Sequence, residues 1–113
     1  MTQVSLTGIK PTGTRASIED GGAVHLGNFL GAVRPALALA RDYDCLYFIA
    51  DYHALTTQRD PDAMRENVRD VAATWLACGL DPDSMLIYRQ SAVPEVFELS
   101  WVFACIVATG QLE

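Results

Sequence analysis

The sequence is short of positive charge. Its 113 residues include 14 aspartates and glutamates but only 8 lysines and arginines, which gives a formal net charge of −6. Binding to a nucleic-acid backbone requires clustered lysine and arginine. This composition therefore argues against a module that binds nucleic acid by itself. The composition is still compatible with a nucleotide-binding pocket, because backbone amides can bind phosphate without side-chain charge.

Long apolar runs are also missing. No stretch approaches the roughly 20 apolar residues that cross a bilayer, and the chain does not open on the basic and apolar segments of a signal peptide. We therefore expect a cytoplasmic protein with no membrane partner. Half of the residues are hydrophobic, which predicts a folded globule, and the length allows one domain at most.

Cysteine is scarce, and the residue patterns of several enzyme classes are absent. Cys45, Cys78 and Cys105 lie far apart, which predicts reduced core thiols rather than disulfides or zinc ligands. No cluster has metal-ligand spacing, so no protein-held metal is expected. The chain also lacks a serine in a nucleophile elbow and a P-loop.

Hydrophobic patterning predicts three strands. Val4–Ile9 indicates a short buried strand, and the continuous apolar run Cys45–Ala50 is typical of a strand covered on both faces of a parallel sheet. A third strand is predicted at Met85–Tyr88. Since strands that alternate with helices build parallel sheets, the helices decide the fold class.

Helical spacing predicts a helix after each strand. The first follows His25 and is kinked or divided at Pro35. The second begins at the cap Asp60 and stops at Gly79, and the last starts at Pro94. The resulting order, β-α-β-α-β-α, predicts an α/β fold with a Rossmann-like, doubly wound parallel sheet.

Ligands of such sheets bind beyond the carboxyl ends of the strands. Three segments fall at that edge, namely Gly8–Gly13, Asp51–Thr57 and Gln90–Pro94. Both histidines of the chain, His25 and His53, lie there as well. Spacing alone favours a capping or core role for each histidine, and a turn or cap role for Asp51, over a functional one.

Four segments together resemble a known family. Gly8-Ile9-Lys10-Pro11-Thr12-Gly13, followed by His25-Leu26-Gly27-Asn28, resembles the first ATP-binding motif of class I aminoacyl-tRNA synthetases, in particular their tryptophan-specific branch. Phe48–Thr56, Cys78–Pro82 and Gln90–Glu95 are similar to that branch in the same order. The tyrosine-specific relatives share the fold and the histidine motif but usually lack this combination.

The resemblance implies ATP-dependent activation of tryptophan and its transfer to tRNA(Trp), with Mg²⁺ accompanying ATP. It also implies a homodimer in which residues 90–113 approach the second subunit. The implied roles are ATP binding by Lys10, Pro11, Thr12, Gly27 and Asn28, catalysis by His25 and Asn28, and contact with the indole pocket by Leu6, Gly8, Ala50 and His53.

The sequence departs from the family pattern in two places. Eleven residues, 14–24, separate the halves of the first motif, where the family normally has a much shorter gap. The sequence also stops at Glu113, inside what resembles a continuing helix. Residues 1–113 are therefore expected to form the amino-terminal part of the catalytic domain, weak or inactive alone. The alternatives are a small nucleotidyltransferase of the same superfamily and a non-catalytic dimerisation fragment.

Overall fold

Three parallel strands form the sheet of the computed structural model, which describes residues 3–11 and 26–111. Strand β1 spans Val4–Ile9, β2 spans Asp44–Ile49 and β3 spans Leu86–Arg89. β2 lies between the other two, with Ile49 opposite both Ile9 and Arg89. The three predicted strands are confirmed, and their carboxyl ends meet at one edge of the sheet.

Helices follow each strand in the predicted order. The α-helices are α1 (Leu26–Asn28), α2 (Arg34–Leu39), α3 (Asp51–Ala54), α4 (Pro61–Ala77) and α5 (Glu95–Ile106), and 3₁₀ turns cover Gln90–Ala92 and Thr109–Gln111. This alternation confirms the predicted α/β class. Residues 14–24, which separate the halves of the first motif, and the catalytic candidate His25 lie outside the described residues.

A π-helical turn, Phe29–Val33, joins α1 to α2. Pro35 lies in the first turn of α2 and has no N–H group, so an unbroken ladder of α-helical hydrogen bonds cannot pass through it. The N–H of Arg34 donates instead to the carbonyl of Phe29, five residues back, which is the π pattern. The predicted division of this helix is confirmed, with the irregular turn just before the proline.

Helix α4 begins and ends where the sequence predicts. The Asp60 carboxylate accepts hydrogen bonds from the backbone N–H groups of Asp62 and Ala63, at 2.8 and 3.2 Å, as an N-cap does. Just beyond the helix, Gly79 has a φ of 99°, in the left-handed region that favours glycine. These two local signals fix the helix that carries much of the core.

Helices α2 and α4 cover one face of the sheet. The cluster of buried side chains there consists of Val33, Ala36, Cys45, Tyr47, Ile49, Val71, Trp75 and Leu80. The rings of Tyr47 and Trp75 pack edge to face with centroids 5.8 Å apart, and the Tyr47 hydroxyl donates to the Ala36 carbonyl at 2.6 Å. Burial, with a smaller contribution from a hydrogen bond to Cys45, raises the pKa of the Tyr47 phenol.

The opposite face of the sheet is open within the described part of the chain. Val4 and Leu6 of β1 are 62% and 60% exposed, and Leu86 of β3 is 56% exposed. The prediction that β1 is buried is therefore wrong. The prediction that β2 is covered on both faces is also wrong, because its side chains alternate between buried positions and half-buried or exposed ones. Both errors have one cause, since α2 and α4 pack on the same side.

All three cysteines are free thiols. Cys45 is buried in the core, Cys78 is half-buried and Cys105 is exposed, so the predicted core placement is correct for the first and wrong for the last. Cys105 lies on α5, a helix with no buried side chain. Within residues 3–11 and 26–111, no helix combines the length and apolarity that a bilayer crossing needs.

Candidate functional site

The carboxyl edge of the sheet gathers most of the predicted site residues that the structure describes. Lys10 follows β1, His53 lies on α3 directly after β2, and Gln90 starts the 3₁₀ turn after β3. The N–H of Ala50 donates to the carbonyl of Ile9 at 2.8 Å, which joins the ends of β1 and β2. The predicted meeting of these segments at one edge is therefore confirmed.

A short hydrogen-bonded chain connects Lys10 to the histidine segment. The Lys10 ammonium donates to the hydroxyl of Thr56 at 3.1 Å, and that hydroxyl donates to the carbonyl of His53 at 2.8 Å. An ammonium group has three N–H donors, so the contact with Thr56 fixes the direction of Lys10 without exhausting its donors. The arrangement can present a positive charge to an anion at this edge.

The imidazole of His53 is held by a glutamine. Its Nδ1 lies 3.0 Å from Oε1 of Gln90, and Gln90 is only 8% exposed. Because an amide oxygen only accepts hydrogen bonds, this contact places the proton of a neutral ring on Nδ1 and leaves Nε2 as an acceptor. His53 is itself exposed, so a core role is wrong for it, and its partner is a side chain rather than a backbone carbonyl.

Asp51 ties the end of β2 to the turn after β3. Its Oδ1 accepts from the backbone N–H groups of Tyr52 and Ser91, each at 3.0 Å. Its Oδ2 accepts from the hydroxyl of Ser91, and the residue is 9% exposed. The predicted turn or cap role covers only the contact with Tyr52. The carboxylate also acts as a tether, and it holds the segment that carries Gln90.

An apolar cavity of about 100 Å³ opens on the uncovered face of the sheet. It is lined by Leu6, Phe48, Tyr88, Gln90, Val93 and Val96. Gly8 allows its shape, because a Cβ at that position would lie 2.3 Å from the Phe48 ring. Of the residues predicted beside an indole pocket, Leu6 lines the cavity and Gly8 adjoins its wall, whereas Ala50 and His53 are not lining residues.

The predicted ATP-binding residues are described only in part. Pro11 is fully buried beside Lys10 at the end of β1, and Gly27 and Asn28 belong to α1, with Gly27 exposed and Asn28 half-buried. Thr12 lies outside the described residues, like His25. In the described ranges, no group of three histidine, cysteine, aspartate or glutamate side chains is placed to hold a metal ion.

Three contributors to this site were not singled out from the sequence: Thr56, Gln90 and Ser91. Each lies in a segment predicted to reach the edge, so its approximate position could be predicted. Its hydrogen-bond partner could not be predicted, because the contacts of His53 with Gln90 and of Asp51 with Ser91 span 37 and 40 residues. Only the register of β2 against β3 brings these side chains together.

Comparison with known proteins gives one consistent family. The model of the family described as tRNA synthetases class I (W and Y) matches residues 4–113. The chain is 46% identical to the tryptophan–tRNA ligase of Xanthomonas campestris pv. campestris and 47% identical to that of Pseudomonas syringae pv. tomato, in each case over 99% of its own length. It spans about a quarter of these relatives, 24% and 23% respectively.

Solved structures agree with the sequence relatives. The chain resembles tryptophanyl-tRNA synthetase from Campylobacter jejuni with a TM-score of 0.80 and 31% identity, over 97% of this chain and 32% of that one. The same enzyme complexed with ADP and tryptophan gives a TM-score of 0.79 and 32% identity, over 96% and 31% of the two chains. These similarities confirm the predicted Rossmann-like α/β fold class.

Proposed function

The chain belongs to the class I tRNA synthetases (W and Y), and we propose that it forms part of a tryptophan–tRNA ligase. The proposed reaction is the activation of tryptophan by ATP, in which the amino-acid carboxylate attacks the α-phosphate and pyrophosphate leaves, followed by transfer to tRNA. Such catalysis depends on positioning and on stabilising phosphate charge rather than on a covalent enzyme intermediate.

The observation that carries this proposal is the apolar cavity beside the hydrogen-bonded residues at the edge. The cavity, between Leu6 and Phe48, suits an aromatic side chain. The group Lys10, Thr56, His53 and Gln90 offers charge and hydrogen bonds beside it. The complex of the Campylobacter jejuni relative with ADP and tryptophan supports the same pairing of ligands for this chain. We assign Leu6, Gly8, Ala50 and His53 to the tryptophan side.

The nucleotide side of the proposal rests on the two halves of the first motif. Lys10, Pro11 and Thr12 would contact ATP from the end of β1, and Gly27 and Asn28 from the start of α1. The Lys10 ammonium supports this assignment, because its contact with Thr56 leaves N–H donors that phosphate oxygens can accept from. We propose that His25, with Asn28, stabilises phosphate charge during the attack. Mg²⁺ would accompany ATP and would be coordinated largely by phosphate oxygens and water.

The partners of the proposed enzyme include a second copy of the chain. Helix α5 supports a homodimer, because two of its large apolar side chains are strongly exposed in the described part of the chain: Trp101 is 73% exposed and Ile106 is 72% exposed. Transfer of tryptophan requires tRNA(Trp) as the final acceptor. We propose a cytoplasmic location, where protein synthesis uses the product.

Titration calorimetry on the purified chain tests the tryptophan site. We expect L-tryptophan to bind at least about tenfold more tightly than L-tyrosine. Phe48→Ala should weaken tryptophan binding roughly tenfold, because it removes an apolar wall whose burial contributes about 1–2 kcal/mol. Phe103→Ala is the matched control, since that phenylalanine is exposed on α5 and away from the cavity. Equal affinity for both amino acids, or equal effects of both variants, would contradict the proposal.

A further inference from the structure

Gln90 stands between the cavity and the histidine at the edge of the sheet. Its side chain lines the cavity, and its Oε1 lies 3.0 Å from Nδ1 of His53. Gln90 is 8% exposed, whereas the imidazole that it holds is exposed. A buried amide therefore fixes one nitrogen of an accessible ring, and the other nitrogen remains available to a ligand.

The backbone of Gln90 is anchored on both sides. Its carbonyl accepts from the N–H of Val93 at 3.1 Å, which closes the 3₁₀ turn. The following residue, Ser91, donates from its N–H and its hydroxyl to the carboxylate of Asp51. Since Asp51 is the first residue of α3, the helix that carries His53, its carboxylate links the backbone of the glutamine turn to the backbone of the histidine helix. The contact between them is thus preorganised rather than a chance meeting of two mobile side chains.

We propose that Gln90 is a positioning residue that keeps His53 in its Nδ1-protonated tautomer, so that Nε2 accepts a hydrogen bond from an N–H donor of the ligand. A neutral imidazole carries one N–H proton, so an acceptor held against Nδ1 places the proton there and leaves Nε2 without one. An imidazole without such a partner favours protonation at Nε2, which would turn the acceptor into a donor. The inference rests on the proposed function only for the ligand, because tryptophan carries both an ammonium group and an indole N–H.

Long-range ¹H–¹⁵N correlation spectra of the histidine rings test this directly in the full chain without ligand. At alkaline pH, where imidazole is neutral, a protonated ring nitrogen and a bare one resonate far apart. The chain has only two histidines, so His25 serves as an internal reference. We expect His53 to carry its proton on Nδ1 in the wild type and to change to Nε2 in Gln90→Leu.

Two further variants separate positioning from general disruption. Gln90→Glu should retain the Nδ1 proton, because a carboxylate also accepts hydrogen bonds. Gln111→Leu, the same substitution at an exposed site, should leave the tautomer unchanged. An Nε2-protonated His53 in the wild type would overturn the proposal, as would an Nδ1 proton that persists in a folded Gln90→Leu variant. If Gln90→Leu does not fold, the wild-type and Gln90→Glu spectra still decide.

A tryptophan titration links the tautomer to the ligand. Gln90→Leu should weaken binding of L-tryptophan about five- to tenfold, the usual effect of losing one oriented hydrogen bond, and Gln90→Glu should restore much of the loss. An Nδ1-protonated His53 in a chain that binds no tryptophan would support the positioning role and contradict the proposed function. Unchanged tryptophan affinity in Gln90→Leu would overturn the role of Nε2 as ligand acceptor.

Discussion

Gly8 and Phe48 show how a single residue shapes the candidate site. The two residues are paired across β1 and β2, and the ring of Phe48 occupies the space where a Cβ on Gly8 would stand. The ring in turn forms a wall of the cavity. A glycine in a strand interior weakens the strand, and here it marks a position where a neighbouring side chain approaches the backbone closely.

Gly8→Ala should therefore destabilise the chain. The new methyl group would lie 2.3 Å from the Phe48 ring, and overpacking of this kind costs about 1–3 kcal/mol. We expect a lower midpoint in urea unfolding and a smaller or displaced cavity. Gly31→Ala is the control, because a Cβ there meets nothing within 4 Å. Wild-type stability of Gly8→Ala would show that the ring moves aside freely.

Residue identities could be predicted at the site better than residue contacts. The resemblance named Lys10 and His53, and the structure brings both to the same edge. It gave no role to Thr56, which links them, because a hydroxyl at a loop position carries no periodic signal. The family itself was predicted correctly from four ordered segments, and the match over residues 4–113 confirms it.

Local chemistry predicted the elements of secondary structure correctly, but it did not predict correctly which of their faces are exposed. The cap at Asp60 and the stop at Gly79 bound α4 because both signals act within one helical turn. The apolar run of β2 predicted cover on both faces, and α2 and α4 cover only one. Whether a helix crosses to the other face depends on contacts between distant segments, which the pattern of a single strand does not contain.

The N-cap of α4 can be tested separately. Asp60→Ala should lower the free energy of unfolding by about 1 kcal/mol, because two backbone N–H groups lose their acceptor. Thermal unfolding followed by circular dichroism would measure the shift. Asp60→Ser should recover most of the stability, and Asp83→Ala, at an exposed turn position, should be close to neutral. Similar losses in Asp60→Ala and Asp83→Ala would point to net charge rather than to capping.

The whole molecule leaves two apolar surfaces without cover in the described residues. One is the open face of the sheet, with Val4, Leu6 and Leu86 exposed, and the other is the later part of α5, with Trp101 and Ile106 exposed. Large apolar side chains exposed in number are typical of surfaces that bind a partner. The chain spans about a quarter of the length of the curated relatives that it matches.

We expect the chain to self-associate through α5. Sedimentation velocity should show the chain as a dimer that dissociates when Trp101→Lys and Ile106→Lys are combined, because both side chains are more than 70% exposed and would bury apolar area at an interface. Leu76→Lys is the matched control, at a leucine of α4 that is 50% exposed. A dimer that survives the double change, or is lost in Leu76→Lys, would place the interface elsewhere.

The central position of β2 makes the site and the fold inseparable. β2 is the strand that pairs with both neighbours, so Lys10 and Gln90 each reach His53 through it. If β2 detaches from the sheet, the Lys10–Thr56 contact and the His53–Gln90 contact are both lost. Neither contact is expected to persist without the other. In native-state hydrogen exchange, the amides of Cys45–Ile49 should therefore open only with global unfolding. Binding competence should then disappear in a single cooperative step rather than fade gradually with temperature.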